Sequence, residues 1–297
     1  MKTIFNILAI CFLTIASLKA QEKVDLFGIS FIHNPGVGLM DPANDNLESI
    51  DLKVTELDAF IKYPIKLGND KTVLINALKW HFVKAPFDDL PNERSFEANL
   101  HSIQYDFMVM HRLSEKWQLL ASLRPTLASN FKDGIGSDDF FFQGMLGFKY
   151  IRNQYMNYGA GISYTNGFGE PNLVPVLLFN YSKNKIRTEV KAPVALSFTY
   201  SNKNTIYGFQ AKLDGGQYHL ASQDGDGAVI TNNETVKFSR YNLGPTLGWK
   251  LNDSSRFEVS AGISFKRTLK VIDNDGLESD YDLKNGLFFK SSFIFGK

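Results

Sequence analysis

The sequence predicts an all-β fold, an antiparallel up-and-down β-barrel of about 12–14 strands, and three observations support this prediction. Apolar and polar residues alternate with period two along most of the 297 residues. Short turns and long loops rich in Asp and Asn mostly alternate between these segments. The polar side of the segments is rich in small, uncharged residues. A transmembrane barrel with short periplasmic turns and long extracellular loops has these properties.

The segment 256–265 shows the alternation most clearly. Its odd positions, from Phe257 to Phe265, are all apolar, and its even positions are polar or small. Successive side chains of a strand point to opposite faces, so the segment has one apolar and one polar face. We expect Phe257 and Phe265 to face lipid, with Glu258 and Lys266 pointing inward.

The first twenty residues are typical of a secretory signal peptide. Lys2 precedes an apolar run, and small residues precede Ala20, after which we expect cleavage. The barrel domain is then 21–297, and loss of Lys2 and Lys19 changes the formal charge from +1 to −1. The single cysteine, Cys11, falls in this signal, so the mature chain is expected to lack thiol and disulfide chemistry. A lipoprotein processing site at Cys11 is disfavoured because Ile10 is bulky.

The first seven predicted strands alternate clearly between turn signals. Near Glu56 and Leu57 the phase slips, which predicts a bulge or a shift between membrane and rim. The segments are 24–32, 50–63, 72–83, 100–112, 117–128, 140–150 and 157–165.

The remaining strands are less regular around Pro193, which cannot donate to a β-ladder and therefore breaks or bulges its segment. Thirteen segments result if 186–200 is one strand. Splitting at Pro193, or adding a short strand at 217–221, gives fourteen, and dropping a weak segment gives twelve. An even number places both termini on the periplasmic side. The segments are 173–181, 186–200, 205–213, 238–250, 256–265 and 287–295.

Connection lengths distinguish the barrel from a soluble β-sandwich, which mixes them. The alternation of short and long connections fails once, at the short link 201–204, which follows another short turn. Short turns lie near residues 67, 114, 153, 183 and 252, and long loops near 40, 90, 134, 168, 225 and 277.

The composition of the two faces favours lipid rather than a second sheet on the apolar side. Aromatic residues make up 13% of the chain, and Trp80, Trp117 and Trp249 are expected near strand ends, in the girdles of a membrane barrel. In a sandwich the polar face would be rich in Lys and Glu. After the signal, no segment has eighteen consecutive apolar residues, so the chain has no candidate transmembrane helix.

Six side chains on the inward phase are candidates to line the lumen. In a narrow barrel they pair with each other, and in a wide barrel they line a water-filled path. They are Asp106, Arg124, Gln143, Lys149, Glu258 and Lys266.

The sequence holds no motif that predicts a metal, cofactor or nucleic-acid site. None of its five histidines has metal-ligand spacing, and the near-neutral charge argues against nucleic acid. His101 and His111 bracket one strand on its outward phase and are expected at the two rims. The segment Asp224–Gly227 lacks the downstream Glu of a calcium loop.

Three segments resemble an exported outer-membrane β-barrel family of the Bacteroidetes that is a domain of unknown function. They are 113–121, the run 158–164 and the pair Pro171 and Pro175, together with a signal ending at Ala20–Gln21. The resemblance covers nearly the whole mature chain and implies a barrel. Its motifs are structural, so it implies no catalytic residue.

We therefore predict a non-enzymatic, integral outer-membrane barrel that passes or binds an unknown small solute. Its expected partners are outer-membrane lipid and the barrel-assembly machinery, reached after Sec-type export. One alternative is a barrel hydrolase, in which His219 meets Asp224 or Asp226, with Asp138 and Asp139 also in a long loop. The other is a periplasmic β-sandwich binding module.

Overall fold

The computed structural model describes residues 24–36, 39–40, 53–90, 94–132, 134–223, 229–272 and 276–296. The predicted signal peptide and its cleavage site lie outside these ranges. No helix in the described part of the chain is long and apolar enough to cross a membrane. The strands are β1 (Asp25–Asn34), β2 (Leu39–Met40), β3 (Val54–Lys66), β4 (Thr72–Leu90), β5 (Arg94–Arg112), β6 (Trp117–Ser129), β7 (Phe140–Asn153), β8 (Met156–Thr165), β9 (Asn172–Lys183), β10 (Ile186–Ala192), β11 (Ala195–Ser201), β12 (Thr205–Gln223), β13 (Val229–Lys250), β14 (Ser255–Ile272), β15 (Glu278–Leu283) and β16 (Gly286–Gly296).

Fourteen of these strands form a closed antiparallel barrel, which confirms the predicted fold class. Neighbours in the wall follow chain order from β3 to β14, and β16 pairs with both β14 and β1. The short β2 and β15 extend the wall beside the end of β14. Asp25 pairs with Gly296, so the first strand of the barrel begins and the last strand ends at the short-turn rim.

The segment 186–200 is two strands, split at Pro193 as one of the alternatives predicted. Val194 N–H donates to the Lys191 carbonyl at 2.8 Å and closes a tight turn between β10 and β11. This turn lies at the long-loop rim, so the link 201–204 lies at the short-turn rim. The alternation of lengths is therefore broken at the β10–β11 turn, which is short although it lies at the long-loop rim. The segment 217–221 is part of β12 and is not a separate strand.

Several strands continue well into segments predicted as loops. The β4–β5 hairpin extends to Leu90 and Arg94, the β12–β13 hairpin to Gln223 and Val229, and β15 begins at Glu278, inside the long loop predicted near residue 277. Beyond the apolar belt the outer face of a strand meets water instead of lipid, so its composition rich in Gly, Asp and Asn resembles that of a loop. Trp80 is consequently well inside β4 and not near its end.

The predicted phase slip at Glu56 is not a bulge. The ladders of β3 with β1 and with β4 keep one register throughout. The inward side chains change from apolar Val54 to charged Glu56 and Asp58 and back to apolar Phe60. This change of polarity on one face looks, in the sequence, like a change in the phase of the alternation. A register shift occurs instead between β13 and β14, opposite Arg240.

A belt of exposed apolar side chains runs around the outside of the barrel. Every wall strand contributes at least one such residue, and Leu177 is 62% exposed. Water-soluble proteins rarely expose a continuous apolar surface of this extent. One member from each wall strand in chain order is Phe31, Ile61, Leu78, Tyr105, Leu123, Phe142, Ile162, Leu177, Ile186, Phe198, Tyr207, Trp249, Ile263 and Phe289.

Aromatic rings gather near both margins of this belt. Trp117 contacts Tyr150, with ring centroids 5.2 Å apart, and Trp249 stacks on Phe257 near the short turns. On the side of the long loops, Trp80 stacks on His101 at 6.1 Å. These positions are those expected of amphipathic rings at two lipid–water interfaces.

At the long-loop end the inward side chains become apolar and form a packed cluster, which the sequence pattern did not predict. Strands β3–β6 and β12–β15 all contribute to it. Its buried members are Val54, Val83, Ala85, Leu100, Ala128, Tyr218, Leu220, Val236, Leu269, Val271, Tyr281 and Leu283.

The β12–β13 hairpin bends inward at the long-loop end of the barrel and reaches this cluster. In the barrel wall five strands separate β12 from β6, but at the long-loop end His219 of β12 pairs with Ser129 of β6. At Gly215 a Cβ atom would lie 2.5 Å from the Gly167 carbonyl oxygen, so only glycine allows the two chains to approach this closely. The hairpin therefore covers part of the lumen.

Candidate functional site in the charged lumen

Three neighbouring strands place Lys79, Asp106 and Arg124 together inside the barrel. Lys79 Nζ and Arg124 donate to the same carboxylate oxygen of Asp106, at 2.8 and 2.9 Å. The residue before each of the three in its strand is exposed on the outer face. Because successive side chains of a strand point to opposite faces, Lys79, Asp106 and Arg124 point into the lumen. Lys191 of β10 lies near enough to interact with the charges of Arg124 and Asp106. This group therefore has three cations and one carboxylate.

A second group of charges lies between the apolar cluster and the middle of the lumen. His81 Nδ1 and Asp58 Oδ1 are 2.5 Å apart. Glu56 is 1% exposed and accepts hydrogen bonds from Arg240 and from the Asn34 amide.

In the same group, Lys212 donates to Asp214, which also accepts a 2.9 Å hydrogen bond from the Asn242 amide. Partners on the same strand, on adjacent strands and across the lumen thus offset much of the cost of desolvating these charges.

A third group lies near the short-turn rim. Arg256 donates two hydrogen bonds to the carboxylate of Asp25, at 2.7 and 3.0 Å, and one to Glu258 at 2.6 Å. The paired bonds of a guanidinium to a carboxylate are strong and directional. They tie β14 to the first strand at the place where the barrel closes.

The six residues predicted to line the lumen occupy several of these groups. Asp106 and Arg124 share a group, and Glu258 belongs to the third. Gln143 is buried and hydrogen-bonds Thr126 and Thr165.

Lys149 is half-buried, in register with Gln118. Lys266 differs from the expectation, because it lies at the β14 bulge with φ of 47° and an exposed side chain. The alternation changes face at this residue. That any of the six governs what enters the lumen stays a prediction.

The sequence pattern does not identify the second group of charges. Near Glu56 and Asp58 the alternation of apolar and polar residues is interrupted, and Asp214 follows the last residue of the predicted strand 205–213. The signal that identifies them is the even phase of β3 and of β12, which continues without interruption through these residues.

The contact between β6 and β12 contains a buried His–Asp pair. His219 Nδ1 lies 2.8 Å from Asp139 Oδ1, so the expected partner of His219 is replaced by Asp139. Asp224 and Asp226 lie outside the described residues. Among the residues that the structure describes, His219 Nε2 is buried and has no hydrogen-bond partner, and none of them places a nucleophile at this atom. The Asn130 side chain adds two bonds to Ala221, at 2.7 and 3.2 Å.

The loop between β8 and β9 crosses to the opposite strands at the long-loop rim. Glu170 accepts a 2.8 Å hydrogen bond from Lys270, and this bond holds the pKa of the Glu170 carboxyl below its usual value. Glu170 is 46% exposed, so the bond anchors the loop without adding much stability.

Among the described residues, no group of three or more His, Cys, Asp or Glu side chains is placed to hold a metal ion. The charged groups therefore present hydrogen bonds and net charge to the lumen. Positioned charges of this kind bind or select polar solutes.

Residues 16–296 match the family model described as Domain of unknown function (DUF6268). No curated protein matches the chain. Among solved structures, the COG4313 outer membrane channel from Pseudomonas putida F1 aligns with a TM-score of 0.47 and 10% identity, over 95% of this chain and 98% of that one. The P. putida toluene transporter TodX aligns with a TM-score of 0.41 and 8% identity, over 94% and 91%. The KdgM porin gives 0.33 and 9%, over 90% and 98%. Similarities at this level assign no function to the chain.

Proposed function

Because the chain belongs to the family described as Domain of unknown function (DUF6268), whose description states no activity, we propose its function from the barrel itself. The protein is an integral outer-membrane β-barrel that passes small polar solutes through its charged lumen. The observation that carries this proposal is the contrast between the exposed apolar belt and the charged interior of the same wall strands.

The belt supports the membrane location. In lipid, every backbone polar group needs a partner, and a closed barrel provides these partners without leaving a sheet edge. The fourteen strands close completely, and each presents an exposed apolar side chain to the outside.

The charged groups support a polar solute. Eight-stranded barrels fill their interior with side chains, and larger barrels leave more space. The cations Lys79, Arg124 and Lys191 around Asp106 extend donors into this space. An apolar solute would gain nothing from these groups.

We infer that the apolar cluster closes this channel, because it occupies the lumen between β3–β6 and β12–β15. A solute then passes when the β12–β13 hairpin moves. The hairpin is held by the Asn130–Ala221 bonds and the His219–Asp139 pair, whose members Asn130 and Asp139 lie in the connection between β6 and β7. The proposal includes no catalytic step, since His219 Nε2 is buried.

Several finer points belong to the proposal and rest on the sequence. The chain is exported with cleavage after Ala20, inserted by the barrel-assembly machinery and surrounded by outer-membrane lipid. The resemblance of 113–121 and 158–164 supports, as part of this proposal, a relation to exported barrels of the Bacteroidetes.

Planar-bilayer conductance tests the proposed function. We expect rare openings of the wild-type protein and more frequent openings of the double variant Asn130→Ala, His219→Ala, because both contacts between the hairpin and the β6–β7 connection are weakened. Asn153→Ala, in a short turn at the other rim, serves as a matched control and should conduct like the wild type. If all three proteins shift in gel mobility on heating, as folded barrels do, yet none conducts, the channel proposal is wrong.

A further inference from the structure

The bulge in β14 changes the direction in which one arginine points. Ser239 pairs with Thr268 and Tyr241 with Phe265, so Arg240 of β13 faces the two residues Lys266 and Arg267. The extra residue reverses the face of the strand, and β-bulges commonly re-aim a side chain in this way. Arg267 consequently points inward and is 3% exposed, while Lys266 is exposed.

This arrangement buries two arginines side by side. The carboxylates Glu56, Asp214 and Asp58 are near enough to act on Arg240, whereas Glu56 is the carboxylate that acts on Arg267. Arg240 is 3% exposed and is paired with Glu56. Arg267 is close enough for the charges of Arg240 and Glu56 to act on it. Among the described residues its hydrogen bond is a long one, 3.5 Å to the Lys284 carbonyl.

Some N–H donors of the two guanidinium groups have no acceptor among the described residues. Among the described residues, the Nε atoms of Arg240 and Arg267 are both buried and lack hydrogen-bond partners. A buried cation without a counter-charge is strongly destabilising, and a like charge nearby increases the cost. The pair with Glu56 neutralises Arg240, and no described residue forms an ion pair with Arg267.

A small cavity lies against both arginines. It has a volume of about 30 Å³ and is otherwise lined largely by apolar side chains, including Val83, Leu100 and Leu269. A volume of this size holds one or two particles as large as a water molecule.

We propose that a halide ion, chloride under physiological conditions, occupies this cavity between Arg240 and Arg267. The ion supplies the missing negative charge and accepts hydrogen bonds from the guanidinium groups, while the apolar lining excludes larger and more strongly hydrated anions. The site lies between the apolar cluster and the lumen and does not depend on the proposed channel function.

Bromide is the probe that tests this site directly. Crystals of the full-length protein in detergent, grown with sodium bromide in place of chloride, should give an anomalous scattering peak in the cavity between the two guanidinium groups. A water molecule there gives no such peak. Absence of the peak in well-ordered crystals overturns the proposal.

Unfolding in solution provides a second readout. We expect the apparent unfolding temperature to be higher in sodium chloride than in sodium gluconate at equal ionic strength, since an ion that binds only the folded state stabilises it. Above saturation the shift should be roughly 3 °C or more for each tenfold rise in chloride.

Two substitutions give opposite results if the site is correct. Arg267→Met should abolish the chloride dependence, and Glu56→Gln should increase it, because a second arginine then lacks its carboxylate. Arg187→Gln, on an exposed pair with Glu189, is the control and should keep the wild-type dependence. If a variant fails to fold, the wild-type comparison still decides. Equal unfolding temperatures in chloride and gluconate contradict the proposal.

Discussion

At the scale of single residues, the interior charges are kept in place by partners on other strands. Asp106 holds both Lys79 and Arg124 from adjacent strands, and Glu56 of β3 holds Arg240 of β13 across the lumen. The partners meet in space but are distant in sequence. Alternation alone could identify Asp106 and Arg124 as inward residues, but it could not show that they bind each other.

Removing the carboxylate of Asp106 should leave two cations facing each other without a counter-charge. We expect Asp106→Asn to lower the free energy of unfolding by about 1–3 kcal/mol, the usual loss for a hydrogen bond to a charged group. Chemical unfolding of the protein in detergent measures the change.

The exposed pair Arg187 and Glu189 provides the comparison. Glu189→Gln should cost less than about 1 kcal/mol, because exposed ion pairs contribute little. Equal losses in Asp106→Asn and Glu189→Gln would show that the lumen group has no special role in stability.

At the scale of strands, the sequence predicts the part of the chain inside the apolar belt and fails above it. Within the belt, lipid on one side and the lumen on the other impose period two on nearly every strand. Above the belt both faces of a strand have other neighbours, so β12, β13 and β15 resemble loops.

The bulge in β14 leaves no trace in the alternation. Apolar residues occupy odd positions on both sides of Lys266, for example Ile263 before it and Leu269 after it. Ile263 is 51% exposed and Leu269 is 2% exposed. The face of the strand has therefore reversed although the pattern has not, and only the register with β13 reveals the change.

The backbone at Lys266 should respond to substitution according to its positive φ. A residue with a Cβ in this region costs about 1–2 kcal/mol relative to its usual conformation, whereas glycine adopts the region freely. We expect Lys266→Gly to be neutral or slightly stabilising and Lys266→Val to destabilise by about 1 kcal/mol or more. Chemical unfolding compares the two. A valine variant as stable as the glycine variant would mean that the bulge is not needed.

At the scale of the whole molecule, the barrel wall has an apolar outer face suited to lipid and a charged inner face suited to water. The outer faces of fourteen strands are apolar, and the inner faces carry charges that are paired across strands. The even number of strands follows from the split at Pro193 and brings the first and last strands together at one rim. Length and alternation predicted this architecture. The apolar cluster beneath the long loops was not predictable, since it depends on which distant strands meet there.

Adjacent residues of β11 test directly whether the apolar belt meets lipid. Phe198 is 44% exposed on the outer face, and Ser197 lies between exposed Leu196 and Phe198 on the inner face. The only cysteine of the sequence is Cys11, so Phe198→Cys and Ser197→Cys in a chain beginning at Gln21 each give one labelling site. Both labelled proteins are reconstituted in vesicles and exposed to nitroxide-bearing lipid and to aqueous iodide. We expect lipid nitroxide to quench a fluorophore on Phe198→Cys and aqueous iodide to quench a fluorophore on Ser197→Cys. Equal quenching of both by iodide would contradict it.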